Sequence, residues 1–321
     1  MESKKFSAGN LVIDGNVFLS PMAGISDSPY RALCRKMGSG FSYTEFVNAQ
    51  AILEKDERQT SSFRFQESER PLIFQIFGSE PETILEAALI ARELGPDMID
   101  LNMGCSVNRV SQKGAGAGLL REPEKAGQII RLLSRHLDIP VSAKIRLGWD
   151  EKSINCVETA LILEDAGAAM ISVHGRTKSQ AYSGTADWDA IGNVKSRLRI
   201  PVLGSGDVAS FSDAIAKISA YGVDGVLIGR KAIGNPWIFN EDEGAGLSFS
   251  EILSVVREHF RAYFEFYRDQ ESEETIVRSF RKFSARYFLE YPEAKKAFLE
   301  AQNLEQIQGC LDFRIPEECA A

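Results

Sequence analysis

Apolar runs of strand length alternate with segments of helical periodicity along most of this chain, and this alternation restricts the fold more than any other feature. Eight strands are predicted, at Val17 and at 41–46, 72–77, 98–102, 141–147, 170–173, 202–207 and 226–228. Helices are predicted at 28–37, 83–94, 123–137, 154–166 and 212–221, the last one capped by Ser212. Because strands that are apolar on both faces belong to parallel sheets covered by helices, we expect an α/β fold, a closed (β/α)8 TIM barrel.

The two ends of the chain depart from this pattern. Residues 11–20 are predicted to form a hairpin with Asp14-Gly15 at its turn. The acidic, glycine-bearing segment 240–246 is typical of a linker, and beyond it apolar residues recur only at helical spacing. The sequence therefore predicts a barrel over residues 1–240 and a small C-terminal helical domain over residues 247–321.

Composition narrows the class of protein. The 44% hydrophobic and 26% charged residues are typical of a globular chain, and no apolar run reaches the length of a membrane span. The first ten residues lack the apolar centre of a signal peptide, so we expect a cytoplasmic protein. The five cysteines are scattered and never paired as C-x-x-C, which predicts neither disulfides nor a metal site. A net charge of -8 argues against a nucleic-acid partner only if the charge is evenly spread.

A thiol follows one of the predicted strands, in the stretch Asp100-Leu101-Asn102-Met103-Gly104-Cys105. The carboxyl ends of strands carry the active sites of parallel α/β folds, which makes Cys105 a candidate for catalysis. Free cysteines are also among the most buried residues and usually act as small apolar side chains, so this stretch alone favours a packing role for Cys105.

Other polar residues end neighbouring strands. Lys144 lies in a strand of the expected barrel, where an ammonium group needs an anionic partner or a lowered pKa, and this favours a functional role. Gln75 occupies a similar strand position. His174 ends its strand at the expected mouth of the barrel, and the sequence is compatible with either a functional or a structural role for it.

The last two strands end in glycine-bearing segments, Ser205-Gly206-Asp207 and Gly229-Arg230. In (β/α)8 barrels the loops after strands seven and eight commonly bind phosphate through backbone amides. The glycines of 114–118 lack the spacing and the preceding strand of a dinucleotide fingerprint. A phosphate site together with Lys144, Gln75 and a thiol around one mouth favours flavin mononucleotide (FMN) as the cofactor.

The chain resembles the bacterial tRNA-dihydrouridine synthases, closely over residues 19–239 and more loosely beyond. The segments that carry the resemblance are Ser20-Pro21-Met22-Ala23-Gly24, Asp100 to Cys105, Lys113 to Leu120, Lys144 to Trp149, His174-Gly175-Arg176-Thr177 and Ile228 to Phe239. Two positions depart from the pattern, because Ser106 stands where the family commonly has proline and Ser205 stands where it often has asparagine.

The resemblance implies an enzyme with tightly bound FMN, reduced by NADPH, that saturates the C5–C6 bond of a uridine in the D-loop of tRNA. Cys105 would donate the proton to C5, and Asn102 and Arg176 would seat the uracil. The cofactor would be held by Pro21, Met22, Gln75, Lys144, His174, Ser205, Gly206, Asp207, Gly229 and Arg230. No membrane, metal or obligate protein partner is implied. A stripe in the helical tail would bind tRNA, namely Arg278, Arg281, Lys282 and Arg286.

Three other functions are compatible with parts of the sequence. A flavin-dependent reductase of a small molecule, of the dihydroorotate or enone type, would need no tail. A Schiff-base aldolase would use Lys144 as its nucleophile, without a flavin. An RNA-binding barrel with a vestigial site would not depend on Cys105.

Overall fold

The computed structural model describes residues 5–312. Residues 1–4 and the last nine residues of the predicted helical domain, which include Cys319, lie outside this range.

Parallel strands form a nearly closed barrel, as the alternation predicts. Their order around the barrel is β3-β11-β10-β9-β8-β7-β6-β4, and β5 also pairs with β6. The strands of the barrel are β3 Val17–Leu19, β4 Ser42–Tyr43, β5 Val47–Asn48, β6 Leu72–Phe77, β7 Met98–Met103, β8 Val141–Arg146, β9 Met170–His174, β10 Val202–Ser205 and β11 Gly225–Ile228. A further pair, β1 Lys5–Ala8 and β2 Leu11–Asp14, lies outside the barrel sheet.

Helices surround the barrel and continue into the tail. Those of the barrel are α1 Ser28–Lys36, α2 Ala49–Leu53, α3 Glu57–Thr60, α4 Pro81–Arg92, α5 Asn108–Ser111, α6 Pro123–His136, α7 Cys156–Asp165, α8 Trp188–Arg197 and α9 Phe211–Tyr221. Those of the tail are α10 Phe249–Tyr267, α11 Glu273–Tyr287, α12 Pro292–Glu300 and α13 Leu304–Leu311. The division into domains at 240 and 247 stays a prediction, although a run of turns separates the two sets of helices.

The predicted hairpin over residues 11–20 is wrong. β2 pairs antiparallel with β1, so the turn lies at Gly9-Asn10, whereas β3 pairs in parallel with β11. Ala8 and Ile13 of the β1–β2 hairpin are fully buried in one cluster with residues of the barrel interior. The hairpin therefore covers one end of the barrel, and β3 extends the barrel sheet beyond β11.

The predicted second strand, 41–46, is interrupted. β4 pairs with Leu72 and Ile73, and β5 pairs further along the same strand with Ile76 and Phe77. Between them, Thr44 Oγ1 accepts a hydrogen bond of 3.0 Å from the backbone N–H of Gln75. A side-chain oxygen thus occupies the place of a ladder carbonyl.

The helices also differ from the prediction in two ways. α2, α3, α5 and α8 were not predicted, although in α8 Trp188, Ile191 and Val194 form a buried face and Asp187 caps the helix. α9 begins at Phe211, and its N-cap is Ser210, whose side chain accepts from the backbone N–H of Asp213. Ser212 is therefore not the cap.

The barrel interior changes from apolar to polar along the strands. Its lower part is an apolar cluster of fully buried side chains, which includes Phe18, Ile73, Met98, Met170, Leu203 and Leu227. The alternate residues that follow along the strands are polar: Gln75, Asp100, Asn102, Ser142, Lys144, Ser172 and His174. Because successive side chains of a strand point to opposite faces, polar residues two apart in β7 and β8 share the interior face.

The tail helices pack on α1 through aromatic side chains. Tyr30 of α1 lies 4.7 Å from Phe283 and 5.1 Å from His259 between ring centroids. His259 is buried, Tyr287 Oη lies 3.0 Å from its Nδ1, and burial lowers its pKa to about 3. No helix within residues 5–312 has both the length and the apolar character needed to cross a membrane.

Candidate active site

A chain of hydrogen bonds crosses the upper interior of the barrel. Gln75 Nε2 donates to Asp100 Oδ2 at 2.7 Å, and Ser142 Oγ donates to Asp100 Oδ1 at 2.6 Å. Asn102 Nδ2 in turn donates to Gln75 Oε1 at 2.8 Å. Both carboxylate oxygens of Asp100 and both ends of the Gln75 amide are thereby hydrogen-bonded. These hydrogen bonds fix the orientation of the side chains nearest the mouth.

The loop that carries Cys105 is held from three sides. Asn102 Oδ1 accepts from the backbone N–H groups of Gly104 and Cys105 at 3.1 and 2.9 Å. Arg146 Nε donates to the carbonyl of Gly104 at 2.8 Å, and the backbone N–H of Ala117 donates to the carbonyl of Cys105 at 3.1 Å. These contacts fix the loop without the proline that the family commonly has after the cysteine.

Cys105 differs in exposure from the other described thiols. Cys34, Cys156 and Cys310 are buried, whereas Cys105 is partly exposed. Of the thiols within residues 5–312, Cys105 is thus the one that a molecule entering the barrel mouth can contact.

Burial governs the charges below the mouth. Burial and, to a smaller extent, the nearby Arg146 lower the pKa of Lys144 to about 8, although Asp100 acts in the opposite direction. Burial raises the pKa of Asp100 to about 6. Lys144 is 8% exposed, and its ammonium group has no hydrogen-bond or ion-pair partner among the described residues. It is therefore a mostly protonated donor at neutral pH, free to bind an acceptor from outside.

His174 is a neutral imidazole. Burial and then the surrounding cations Lys144, Arg146 and Arg176 lower its pKa to about 2. Its partner on the neighbouring strand β10 is Ser205. A neutral ring can offer a hydrogen-bond donor or acceptor to a ligand, but no charge.

Asp207, which follows β10, contacts Arg176 after β9, Arg230 after β11 and the backbone of Ala186 before α8. Its Oδ2 accepts from Arg176 Nη2 at 2.6 Å and from the backbone N–H of Ala186 at 2.8 Å. Its Oδ1 lies 3.4 Å from Arg230 Nη2. The guanidinium of Arg230 is 58% exposed, so its remaining donors face the outside.

Most of the hydrogen-bond donors of Arg176 are bound by acceptors within the protein. It is 2% exposed, and besides Asp207 it donates to the carbonyls of Ser183 and Gly184. Its Nη1 is buried and has no partner among the described residues. The predicted contact of Arg176 with uracil stays a prediction.

A cradle of free backbone donors lies beside Arg230. Gly206 has a φ of +123°, and a Cβ there would lie 2.6 Å from Ala186 Cβ and 3.1 Å from His174 Cδ2. The backbone N–H groups of Gly206, Asp207 and Gly229 make no hydrogen bond within the described part of the chain. Such a concavity of free N–H groups next to a cation suits an anion.

Pro21 and Met22 follow β3, the strand that pairs with β11. The backbone N–H of Met22 donates to Ser26 Oγ at 2.9 Å, and the carbonyl of Met22 accepts from the backbone N–H of Ser26 at 3.0 Å. A Cβ on Gly229 would lie 3.7 Å from Met22 Sδ. The structure thus places Met22 against the Gly229–Arg230 segment.

Three residues of the site were not assigned a role from the sequence. Asp100 organises the buried hydrogen bonds, and its signal was a carboxylate in an apolar strand at alternate spacing to Asn102. Arg146, two residues after Lys144, ties the Cys105 loop to the carbonyls of Thr177 and Ala181. Tyr182 is 60% exposed, and its ring centroid lies 4.9 Å from Arg230 Cζ. Nothing in the sequence singled out Tyr182.

The four cations of the predicted tail stripe lie in different surroundings. Arg278 and Arg286 are exposed on α11. Arg281 donates to the carbonyl of Ala301. Lys282 Nζ lies 3.7 Å from Asp27 Oδ2, at the start of α1. Their binding of RNA stays a prediction, and Arg278 and Arg286 are the two most available for it.

Within residues 5–312, no cluster of three or more His, Cys, Asp or Glu side chains is suited to hold a metal ion.

Solved structures share the fold at low sequence identity. A histamine dehydrogenase from Rhizobium sp. 4-9 is similar over 81% of this chain and 51% of its own, with a TM-score of 0.58 and 11% identity. A 2-naphthoyl-CoA reductase is similar over 74% of this chain and 51% of its own, with a TM-score of 0.58 and 12% identity. This chain therefore matches about half the length of each.

Curated relatives match nearly the whole chain. The tRNA-dihydrouridine synthase B of Pseudomonas putida is 36% identical over 316 residues, which are 95% of this chain and 92% of the relative. A probable tRNA-dihydrouridine synthase of Rickettsia conorii is 35% identical over 268 residues, 81% of each chain. The sequence profile described as dihydrouridine synthase (Dus) matches residues 18–313. The chain therefore belongs to the dihydrouridine synthase family.

Proposed function

We propose that this enzyme uses FMN and NADPH to reduce the C5–C6 bond of a uridine in the D-loop of tRNA, with Cys105 as proton donor. The observation that carries the proposal is the partly exposed thiol, fixed by Asn102 and Arg146 at the rim of a polar barrel interior. The relatives named tRNA-dihydrouridine synthase support the choice of substrate. The proposal keeps the cytoplasmic location expected from the sequence.

The residues present fit FMN at two places. The free N–H groups of Gly206 and Gly229 and the exposed guanidinium of Arg230 suit its phosphate. Lys144, a buried ammonium without a partner, suits the oxygen and nitrogen acceptors of the flavin ring. Met22, Gln75 and His174 would complete the surroundings of the ring.

When bound, the flavin supplies hydride for C6 of the uracil. Cys105 donates the proton to C5, and solvent restores it to the thiol afterwards. As hydride arrives, negative charge develops towards the uracil oxygens, and the cationic Lys144 would stabilise it from inside the barrel. Arg176, beyond the end of β9, would add to this through its unpartnered Nη1. Asn102 accepts hydrogen bonds from two N–H groups of the thiol loop and so fixes the position of Cys105 relative to the barrel mouth.

The tail would hold the tRNA while one nucleotide enters the barrel mouth, since a base must leave its stack to react there. Arg278 and Arg286 are exposed and would contact phosphates. Lys282 would act differently, because it lies against Asp27 and so connects the tail to the barrel.

The proposed function is tested with purified protein, NADPH and an unmodified tRNA transcript. We expect yellow protein and one dihydrouridine-containing D-loop, located by alkaline cleavage or mass spectrometry. Oxidation of NADPH by free dihydroorotate-type or enone substrates, with no change in tRNA, would favour the small-molecule reductase instead. Colourless protein without affinity for added FMN would exclude both.

Substituting Gly206 by alanine should weaken FMN binding at least about tenfold, because the new Cβ would meet Ala186 and His174 and the φ of +123° disfavours a side chain. The measurement is a fluorescence titration of FMN into cofactor-free protein. Gly222→Ala is the matched control: its φ is +68°, it ends α9, and no atom lies within 4 Å of its Cβ position. The control should lower stability slightly and leave FMN affinity unchanged. Equal affinities in the two variants would contradict the phosphate site.

A further inference from the structure

A cavity of about 880 Å³ opens beside Cys105, outside the flavin-binding residues described above. Its walls are Phe46, the ends of β5 and β6, and the segments that follow β5, β6 and β7. This volume is near the upper end of the range for small-ligand sites. Cys105 lies on its wall, so whatever fills the cavity adjoins the proposed proton donor.

The lining of the cavity carries a net positive charge, from three cations and two carboxylates. Arg58, Arg109 and Lys113 line it, and none of their side chains makes a hydrogen bond or an ion pair with a described residue. The two carboxylates on its walls are engaged. Asp56 accepts from the backbone N–H groups at the start of α3, and Glu80 lies 3.0 Å from Lys125.

An aromatic surface lies between these cations. Phe46 and Phe77 line the cavity, are half-buried, and meet edge to face with ring centroids 5.2 Å apart. Half-exposed aromatic rings beside unpaired cations are the combination by which proteins hold single-stranded nucleic acid, with bases on the rings and phosphates on the cations.

We propose that this cavity binds the phosphates and one base of the nucleotides adjoining the target uridine. The inference rests on the proposed function, because a uracil placed at Cys105 remains joined to both neighbours, which must then lie just outside the barrel mouth. NADPH also carries phosphates. The cavity wall, however, includes Cys105, which in the proposed reaction gives its proton to uracil and not to NADPH, and this favours the RNA as the occupant.

The test is charge reversal at Arg109, with Arg135→Glu as control. Arg135 is exposed at the end of α6, near the start of β8, and so lies at the opposite end of the barrel. We expect Arg109→Glu to weaken tRNA binding roughly tenfold and to flatten the dependence of log Kd on log salt by about 0.7 to 0.9 per lost contact. KM for tRNA should rise, with kcat nearly unchanged. Arg135→Glu should match the wild type.

A second reversal, Arg58→Glu, guards against distortion of the thiol loop. Arg58 lies on α3, apart from the segment that carries Cys105, and the same loss of tRNA affinity is expected. Flavin reduction by NADPH in the absence of tRNA should be unchanged in both variants. Slower reduction would assign the cavity to NADPH and overturn the proposal.

The remaining outcomes are also decisive. If both variants bind tRNA like Arg135→Glu, the cavity faces solvent and the inference is wrong, while wild-type dihydrouridine formation leaves the proposed function intact. If the wild type forms no dihydrouridine in tRNA, the proposed function fails and the inference fails with it.

Discussion

Replacing Cys105 by alanine should slow dihydrouridine formation by roughly 10²- to 10⁴-fold, the usual contribution of a positioned general acid. Hydride addition at C6 leaves charge that only a proton at C5 can resolve, and water would have to supply that proton in the variant. FMN should remain bound, because Cys105 is not among the residues that fit the cofactor. The measurement is a single-turnover assay on tRNA with enzyme first reduced by NADPH.

Two further variants isolate the role of the thiol. Cys105→Ser keeps the shape of the side chain but replaces the thiol by a much weaker acid, so it should be nearly as slow as the alanine variant. Cys156→Ala removes a buried thiol on α7, away from the mouth, and should keep the wild-type rate per folded molecule. A Cys105→Ala enzyme as fast as the wild type would show that another group protonates C5.

Substituting Arg31 by methionine should destabilise the protein by about 3 to 5 kcal/mol, as expected when one member of a buried ion pair is removed. Arg31 and Glu69 are both fully buried, and Arg31 Nε lies 2.5 Å from Glu69 Oε2. Arg31 also donates to the carbonyls of Ser26 and Arg64 at 2.8 and 2.9 Å. The loss is measured by urea unfolding followed by circular dichroism.

The control is an exposed ion pair between the same helix and the tail. Lys36 lies 2.7 Å from Glu258, with side chains 60% and 50% exposed, so Lys36→Met should cost no more than about 1 kcal/mol. Arg31→Met should also weaken FMN binding, because Ser26 holds Met22. Adding Glu69→Leu to Arg31→Met should recover part of the stability by removing the unpaired carboxylate. Equal stability of Arg31→Met and Lys36→Met would contradict the buried pair's role.

Periodicity predicted the barrel because each strand and helix carries its own local pattern. It failed at 11–20, where Asp14-Gly15 has the composition of a hairpin turn. β3 pairs instead with β11, more than 200 residues away along the chain. It also failed to find α8, a short helix whose buried residues, Trp188, Ile191 and Val194, follow a loop rich in small and polar residues.

The identities of the site residues were available from strand ends, but their connections were not. Asp100 was visible in the sequence as part of the thiol stretch, yet its partners Gln75 and Ser142 are 25 and 42 residues away. The tail stripe shows the same limit. Helical spacing aligned four cations on α11, but packing commits Arg281 to Ala301 and brings Lys282 to Asp27.

The sequence by itself determined the strand–helix alternation, the thiol after β7 and the glycine-bearing ends of β10 and β11, because each depends on residues close together in the chain. Only the tertiary structure decided which strand β3 pairs with, that Arg146 fixes the Cys105 loop without a proline, and that unpaired cations from the segments after β5 and β7 share a cavity with the thiol. These are contacts between segments far apart in sequence, and their register is set by packing of the whole barrel, which no local pattern records.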